Sequence, residues 1–214
     1  MQNIIIARFF GDNLFGVFSF ITNLFLILSI FAKFGIENFS LKNIPIILSS
    51  NNKSRLKGFY YFSYLRTLLF SLLICILCLP FIYYNNYSNI QLSFIYISIW
   101  FIFRMIVELF SFQLQALNKT ISSRFVFHIL PPLFTIILLF INNEMNYYTN
   151  SFTLLFKILL IGFLISFCIV FINKRSLFIF PQIKPKYKVK EWMLSSYSFM
   201  ILSGLLLFMS KVSP

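Results

Sequence analysis

The chain has 214 residues, of which 59% are hydrophobic and 11% charged, with a net charge of +13 and a mean hydropathy of +0.87. Soluble domains carry about 25% charged residues, so a water-soluble globular fold is excluded. A basic nucleic-acid binder is excluded as well: 13 of the 18 Lys and Arg residues fall in three gaps between apolar stretches, where membrane topology and anionic lipid account for them.

In chain order the apolar stretches are 14–34, 59–83, 92–117, 124–141, 152–172 and 192–209. Each is close to the roughly 20 residues that cross a bilayer core as a helix. The prediction is an all-α polytopic transmembrane bundle of six spans. Counted from Lys33 to Lys57 and then over 84–91, 116–124, 142–151 and 173–191, so that cations at the span ends are included, the gaps hold 5, 0, 2, 0 and 6 Lys and Arg residues. That alternation is the positive-inside pattern, with the cation-bearing gaps cytoplasmic. A missed or invented span would break the parity.

The first stretch is preceded by Arg8 and Asp12, which parity places outside. No leader with a basic start and a small-residue cleavage site precedes it. A helix ahead of this chain would explain an outside start, and both ends read as cut. After the first span, Gly35 is suited to end a helix in the left-handed region. The second span carries Arg66 about two turns from its cytoplasmic end, where it either snorkels to the interface or faces a cavity. It also carries Cys75-Ile76-Leu77-Cys78. With no His or carboxylate nearby, these cysteines read as small packing residues rather than a metal or redox site.

The third span holds Arg104 and Glu108 near its middle. Charge there costs about 2.5–3.5 kcal/mol unless partnered, and four-residue spacing puts both groups on one helix face. Two compatible readings stand: a self-neutralising pair, and a cavity-facing Arg104 held by Glu108 and offered to an anion. The fourth span begins near His128, read as an interfacial side chain, and contains Pro131-Pro132. Such prolines free backbone carbonyls and either line a cavity or merely bend the helix. Lys157, near the outer end of the fifth span, is placed to snorkel.

Residues 173–191 contain Pro181 and Pro185 and cannot be one helix. The run Lys184-Pro185-Lys186-Tyr187-Lys188-Val189-Lys190 reads as a juxtamembrane linker touching lipid headgroups. Trp192 follows, in the position of an interfacial aromatic. The organisation is therefore 1–172, a block of helices; 173–191, a basic cytoplasmic linker; and 192–214, the first helix of a second block. There is no carboxylate pair in a polar setting, no nucleophile with a base, no phosphate-binding Gly loop and no metal cluster in the sequence. A non-enzymatic carrier without a cofactor is expected.

Several motifs also carry a resemblance. Ala7-Arg8-Phe9-Phe10-Gly11-Asp12-Asn13-Leu14-Phe15-Gly16, followed after a span by Phe34-Gly35-Ile36, resembles the opening of polysaccharide-biosynthesis, O-antigen (Wzx-like) flippases of the multidrug/oligosaccharidyl-lipid/polysaccharide superfamily. Gln115-Ala116-Leu117-Asn118-Lys119 with Pro131-Pro132 is similar to a turn between two of that family's helices. Trp192-Met193-Leu194-Ser195-Ser196-Tyr197-Ser198-Phe199 looks like the start of its second half, with Ser198 where the family often has proline. The resemblance implies one lobe of a two-lobed flippase, lacking its first helix and truncated after the opening of the second lobe.

It further implies transport of undecaprenyl-pyrophosphate-linked oligosaccharide across the bacterial inner membrane for surface polysaccharide and O-antigen (lipopolysaccharide) assembly. Arg104, Glu108, Arg66 and Arg8 are then the candidate cavity residues. The partners are membrane lipids and a second lobe or other assembly proteins. An inactive remnant, a drug-exporting relative, and a membrane enzyme such as an O-antigen polymerase are the alternatives.

Overall fold

A computed structural model of the chain describes residues 2–84, 88–144, 152–174 and 184–212. Among the described residues every regular element is helical. They are α1 (Gln2–Lys33), α2 (Ile36–Ser49), α3 (Lys53–Tyr84), α4 (Ser88–Ala116), α5 (Thr120–Arg124), a π-helical turn (Phe125–Ile129), α6 (Leu130–Glu144), α7 (Phe152–Lys174) and α8 (Val189–Val212). The chain is an all-α membrane bundle. Four stretches are long and apolar enough to cross a membrane: Asn3–Lys33, Lys53–Pro80, Ser93–Ala116 and Thr120–Asn142. A shorter apolar stretch, Thr153–Ile169, lies in α7. The six expected spans overlap these helices, the fourth running through α5, the π-helical turn and α6, while α8, which holds the sixth, is not among the stretches long and apolar enough to cross. Residues 85–87, 145–151 and 175–183, which include parts of the expected outer turns and Pro181, lie outside the described residues.

α4 is the central helix. Half of its most apolar window is buried, against 17% for that of α1. It packs against α1, α2, α3 and α7. Trp100 of α4 lies edge-on to Phe156 and Phe163 of α7, at 5.6 and 6.2 Å, and Phe101 meets Phe25 of α1 at 4.5 Å. By contrast Leu65, Leu69, Leu73, Ile76 and Leu77 of α3 are exposed. Such an apolar face suits lipid and would be costly in water.

Three findings differ from the sequence reading. First, α1 runs back past residue 14 to Gln2, interrupted at Gly11 (φ 78°, ψ 167°), a conformation only glycine adopts readily. Second, the gap after the first expected span is not merely a hydrophilic connection. Residues 36–49 form a helix because one face is apolar or small at helical spacing: Ile36, Phe39, Ser40, Asn43, Ile44 and Ile47 are buried. Third, Trp192 is 1% exposed rather than interfacial, wedged against Phe59 and Phe62 of α3 at 5.4 and 5.3 Å. Among the described linker residues, Lys186 donates its amide to Ser54 O at 3.0 Å, fastening the linker to the start of α3.

The break between α1 and α2 positions the rest. Phe34 (φ 51°) and Gly35 (φ 75°) are both left-handed, as the sequence reading of Gly35 anticipated. A Cβ on Gly35 would collide with the α8 backbone, at 2.7 Å from Phe199 C and closer still to Ser196 O and Met200 N. Asn38 Nδ2 donates to Ser203 Oγ at 2.9 Å, so α8 is bonded to α2 just past the break. Gly35→Ala combines left-handed strain with a backbone clash. A loss of at least about 2 kcal/mol is expected, read as a lower thermal midpoint in detergent; an unchanged midpoint would mean that α8 is not seated on the break.

Candidate functional site

Lys33 is the last residue of α1 and Glu37 lies in the first turn of α2. The two-residue break leaves them four apart and facing each other, with Lys33 Nζ 2.6 Å from Glu37 Oε2. Lys33 Nζ also donates to Glu108 Oε1 of α4 at 2.8 Å. The three side chains are 7%, 11% and 18% exposed. One ammonium thus joins two carboxylates across three helices. The self-neutralising Arg104–Glu108 pair is not what forms: the ion-pair partner of Glu108 is Lys33. The break ends α1 level with Glu108, within reach of the ammonium.

Arg104 turns elsewhere. Its guanidinium carbon lies 5.3 Å from the Trp100 ring centroid and 6.0 Å from that of Phe127, within cation–π range. It lines a cavity of about 300 Å³ together with Thr22 and Asn23 of α1, Trp100, His128 and Pro132. That volume sits at the lower end of ordinary small-molecule sites. The wall combines a cation, amide and hydroxyl groups, and aromatic faces.

The fourth span shapes this wall. Pro131 and Pro132 have no N–H to return to Phe127 and His128, one helical turn earlier. The chain accommodates the loss as the π-helical turn Phe125–Ile129, a distortion frequent at functional sites. Thr135 Oγ1 donates to Pro131 O at 2.7 Å. Of the two readings of the prolines, lining a cavity is the one the geometry bears out. His128, read from sequence as interfacial, belongs to the same cavity.

The other candidates lie apart. Arg66 of α3 is 5% exposed and neither snorkels nor lines this cavity. Its guanidinium carbon sits 4.5, 5.6 and 5.7 Å from the ring centroids of Phe34, Phe70 and Phe62, and Nη1 donates to Ser196 Oγ of α8 at 2.7 Å. Arg66 thereby ties α3 to α8 beside the break. Arg8 is exposed on α1 ahead of Gly11. Lys157 lies over the Tyr96 ring at 4.8 Å. Cys75 is buried, its thiol 4.0 Å from Ser98 O, in the packing role expected of it. The residues missed from sequence are Lys33 and Glu37. Their four-residue spacing was visible, but Lys33 was credited to topology alone.

Fold and site together define a membrane-embedded helical bundle that holds a cation-lined cavity beside a broken helix. The chain belongs to the polysaccharide biosynthesis protein family, whose profile matches residues 1–214. No curated protein and no solved structure matches it.

Removing the ammonium strands two carboxylates in a largely dry setting. Lys33→Ala should cost about 3–5 kcal/mol, the range for breaking a buried ion pair from one side. Arg8→Ala, at an exposed position, should cost little. Thermal unfolding of the purified variants checks both; equal midpoints would mean that the triad is solvated.

Proposed function

We propose that this protein carries a lipid-linked oligosaccharide, of the undecaprenyl-pyrophosphate type, across the bacterial cytoplasmic membrane during surface polysaccharide assembly, without covalent chemistry. Family membership supports the role in polysaccharide synthesis. The observation that carries the transport reading is the disposition of charge. Lys33 takes Glu108 in its ion pair, which leaves Arg104 facing the cavity with no carboxylate in direct contact among the described residues, Glu108 acting on it only at longer range.

A pyrophosphate-bearing headgroup crossing a low-dielectric slab needs compensating positive charge. A guanidinium supplies it in a form that pairs bidentately with phosphate oxygens. Trp100 and Phe127 lie within cation–π range of the guanidinium, a contact that is compatible with N–H donation to a ligand. Aromatic faces in the same wall can stack on sugar rings. In this reading Glu108 acts through Lys33, Arg66 holds the helix junction, and a second lobe would close the other side of the cavity.

In cells that depend on this protein for glycan display, Arg104→Ala should reduce surface glycan by tenfold or more, the effect of about 1.4 kcal/mol, with membrane expression unchanged. Arg104→Lys, which keeps charge but loses the planar fork, should be intermediate. Full glycan display by Arg104→Ala at normal expression would remove Arg104 from the transport path.

A further inference from the structure

The part of the Arg104 cavity wall that α1 supplies differs from the rest in the direction of its hydrogen bonds. Ser19, Thr22 and Asn23 stand at helical spacing on one face of α1. They lie inside the apolar stretch Asn3–Lys33, with Leu24 and Ile27 exposed nearby. Thr22 and Asn23 line the cavity together with Trp100, Arg104 and His128. Polar side chains at membrane depth serve chiefly to bond a neighbouring helix or to face a cavity. Here the first role is not taken up. Among the described residues, the hydrogen bonds of Thr22 and Asn23 all return to α1, and Asn23 is exposed.

Those bonds use up donors and leave acceptors. Asn23 Nδ2 donates to Ser19 O at 2.9 Å. A carbonyl oxygen only accepts, so this bond fixes which way round the amide stands and turns Oδ1 from Ser19 O. Thr22 Oγ1 lies 2.9 Å from Phe18 O and 3.0 Å from Ser19 O. Its single proton goes to one of them, and its lone pairs stay unused. Thus α1 offers the cavity acceptors. Arg104 of α4 offers the opposite, since a guanidinium has N–H donors and no acceptor.

That polarity discriminates among phosphate ligands. A bare pyrophosphate presents acceptor oxygens, which suit Arg104 and find no donor in Thr22 or Asn23. A sugar joined to the phosphate brings hydroxyl or amide N–H donors, and these match Asn23 Oδ1 and Thr22 Oγ1. The volume of about 300 Å³ suits one ring beside its phosphate rather than a whole oligosaccharide.

We propose that Thr22 and Asn23 select the sugar that adjoins the phosphate, accepting hydrogen bonds from its hydroxyl or N–H groups while Arg104 holds the phosphate. The inference rests on the transport reading for the phosphate end and assigns the reading of the glycan to α1.

The test is calorimetric titration of the purified full chain in uncharged detergent with two phosphate monoesters, glucose 1-phosphate and cyclohexyl phosphate. Both join a six-membered ring to the same phosphate, and only the first carries hydroxyls. A site that bonds hydroxyls rejects an analogue lacking them, so glucose 1-phosphate should bind about tenfold more tightly. Asn23→Leu and Thr22→Val should each weaken glucose 1-phosphate and narrow the difference to about twofold or less. Thr22→Ser, which keeps the oxygen, should retain the preference. Arg104→Ala should weaken both esters alike. Equal binding of the two esters, or a preference that survives both Asn23→Leu and Thr22→Val, would overturn the proposal; if both esters still depended on Arg104, the transport reading would stand. Binding of neither ester, or binding indifferent to Arg104→Ala, would remove the phosphate end of the transport reading and this proposal with it.

Discussion

The ammonium of Lys33 is the point on which the arrangement turns. Placed in the interior, a lone Lys33, Glu37 or Glu108 would cost several kcal/mol. Brought together, the one ammonium contacts both carboxylates, and the structure meets three conditions in doing so: α1 stops at Lys33, α2 begins at once, and α4 passes alongside. The break at Phe34 and Gly35 meets the first two conditions. The packing of α4 in the centre of the bundle meets the third. The same break is roofed by α8, whose backbone approaches so closely that only glycine fits, and Arg66 bonds Ser196 of α8 at its side. One local backbone event thus fixes four helices.

A consequence for function follows from charge conservation within the site. Arg104 and Glu108 stand one helical turn apart on α4, and in an isolated helix they would satisfy each other. Lys33 takes the carboxylate instead. Arg104 then lies beside the Trp100 and Phe127 rings and lines the cavity. A structural triad and a cavity-facing cation are therefore two results of a single choice of partner, and the proposed transport role rests on the second. The π-helical turn of the fourth span contributes by opening the wall at His128 and Pro132, where proline has removed the hydrogen bonds that would keep a regular helix closed.

The helices were legible from sequence because length and hydropathy mark such apolar stretches, and the first four of the six expected spans are long and apolar enough to cross a membrane. The left-handed break at Gly35 was legible because so few residues adopt that conformation. What escaped detection had competing explanations. Residues 36–49 carry a helical pattern of buried positions, but Lys42 and the neighbouring cations drew the segment into the topological count. Trp192 follows a basic run, which suits an interfacial aromatic; its burial depends on the approach of α3, and nothing local encodes that. The Arg104–Glu108 spacing places two groups on one face of α4, but the ion-pair partner of Glu108 is a residue 75 positions away. Sequence spacing identifies which groups can meet on one helix. It does not rank them against partners supplied by another.

The central claim, that Glu108 answers to Lys33 and not to Arg104, is tested most directly by two double-mutant cycles on thermodynamic stability, one pairing Lys33→Met with Glu108→Gln and the other pairing Arg104→Met with Glu108→Gln. A coupling of about 1 kcal/mol or more in the first and close to zero in the second is the expected result. Strong coupling between Arg104 and Glu108, with none between Lys33 and Glu108, would contradict it.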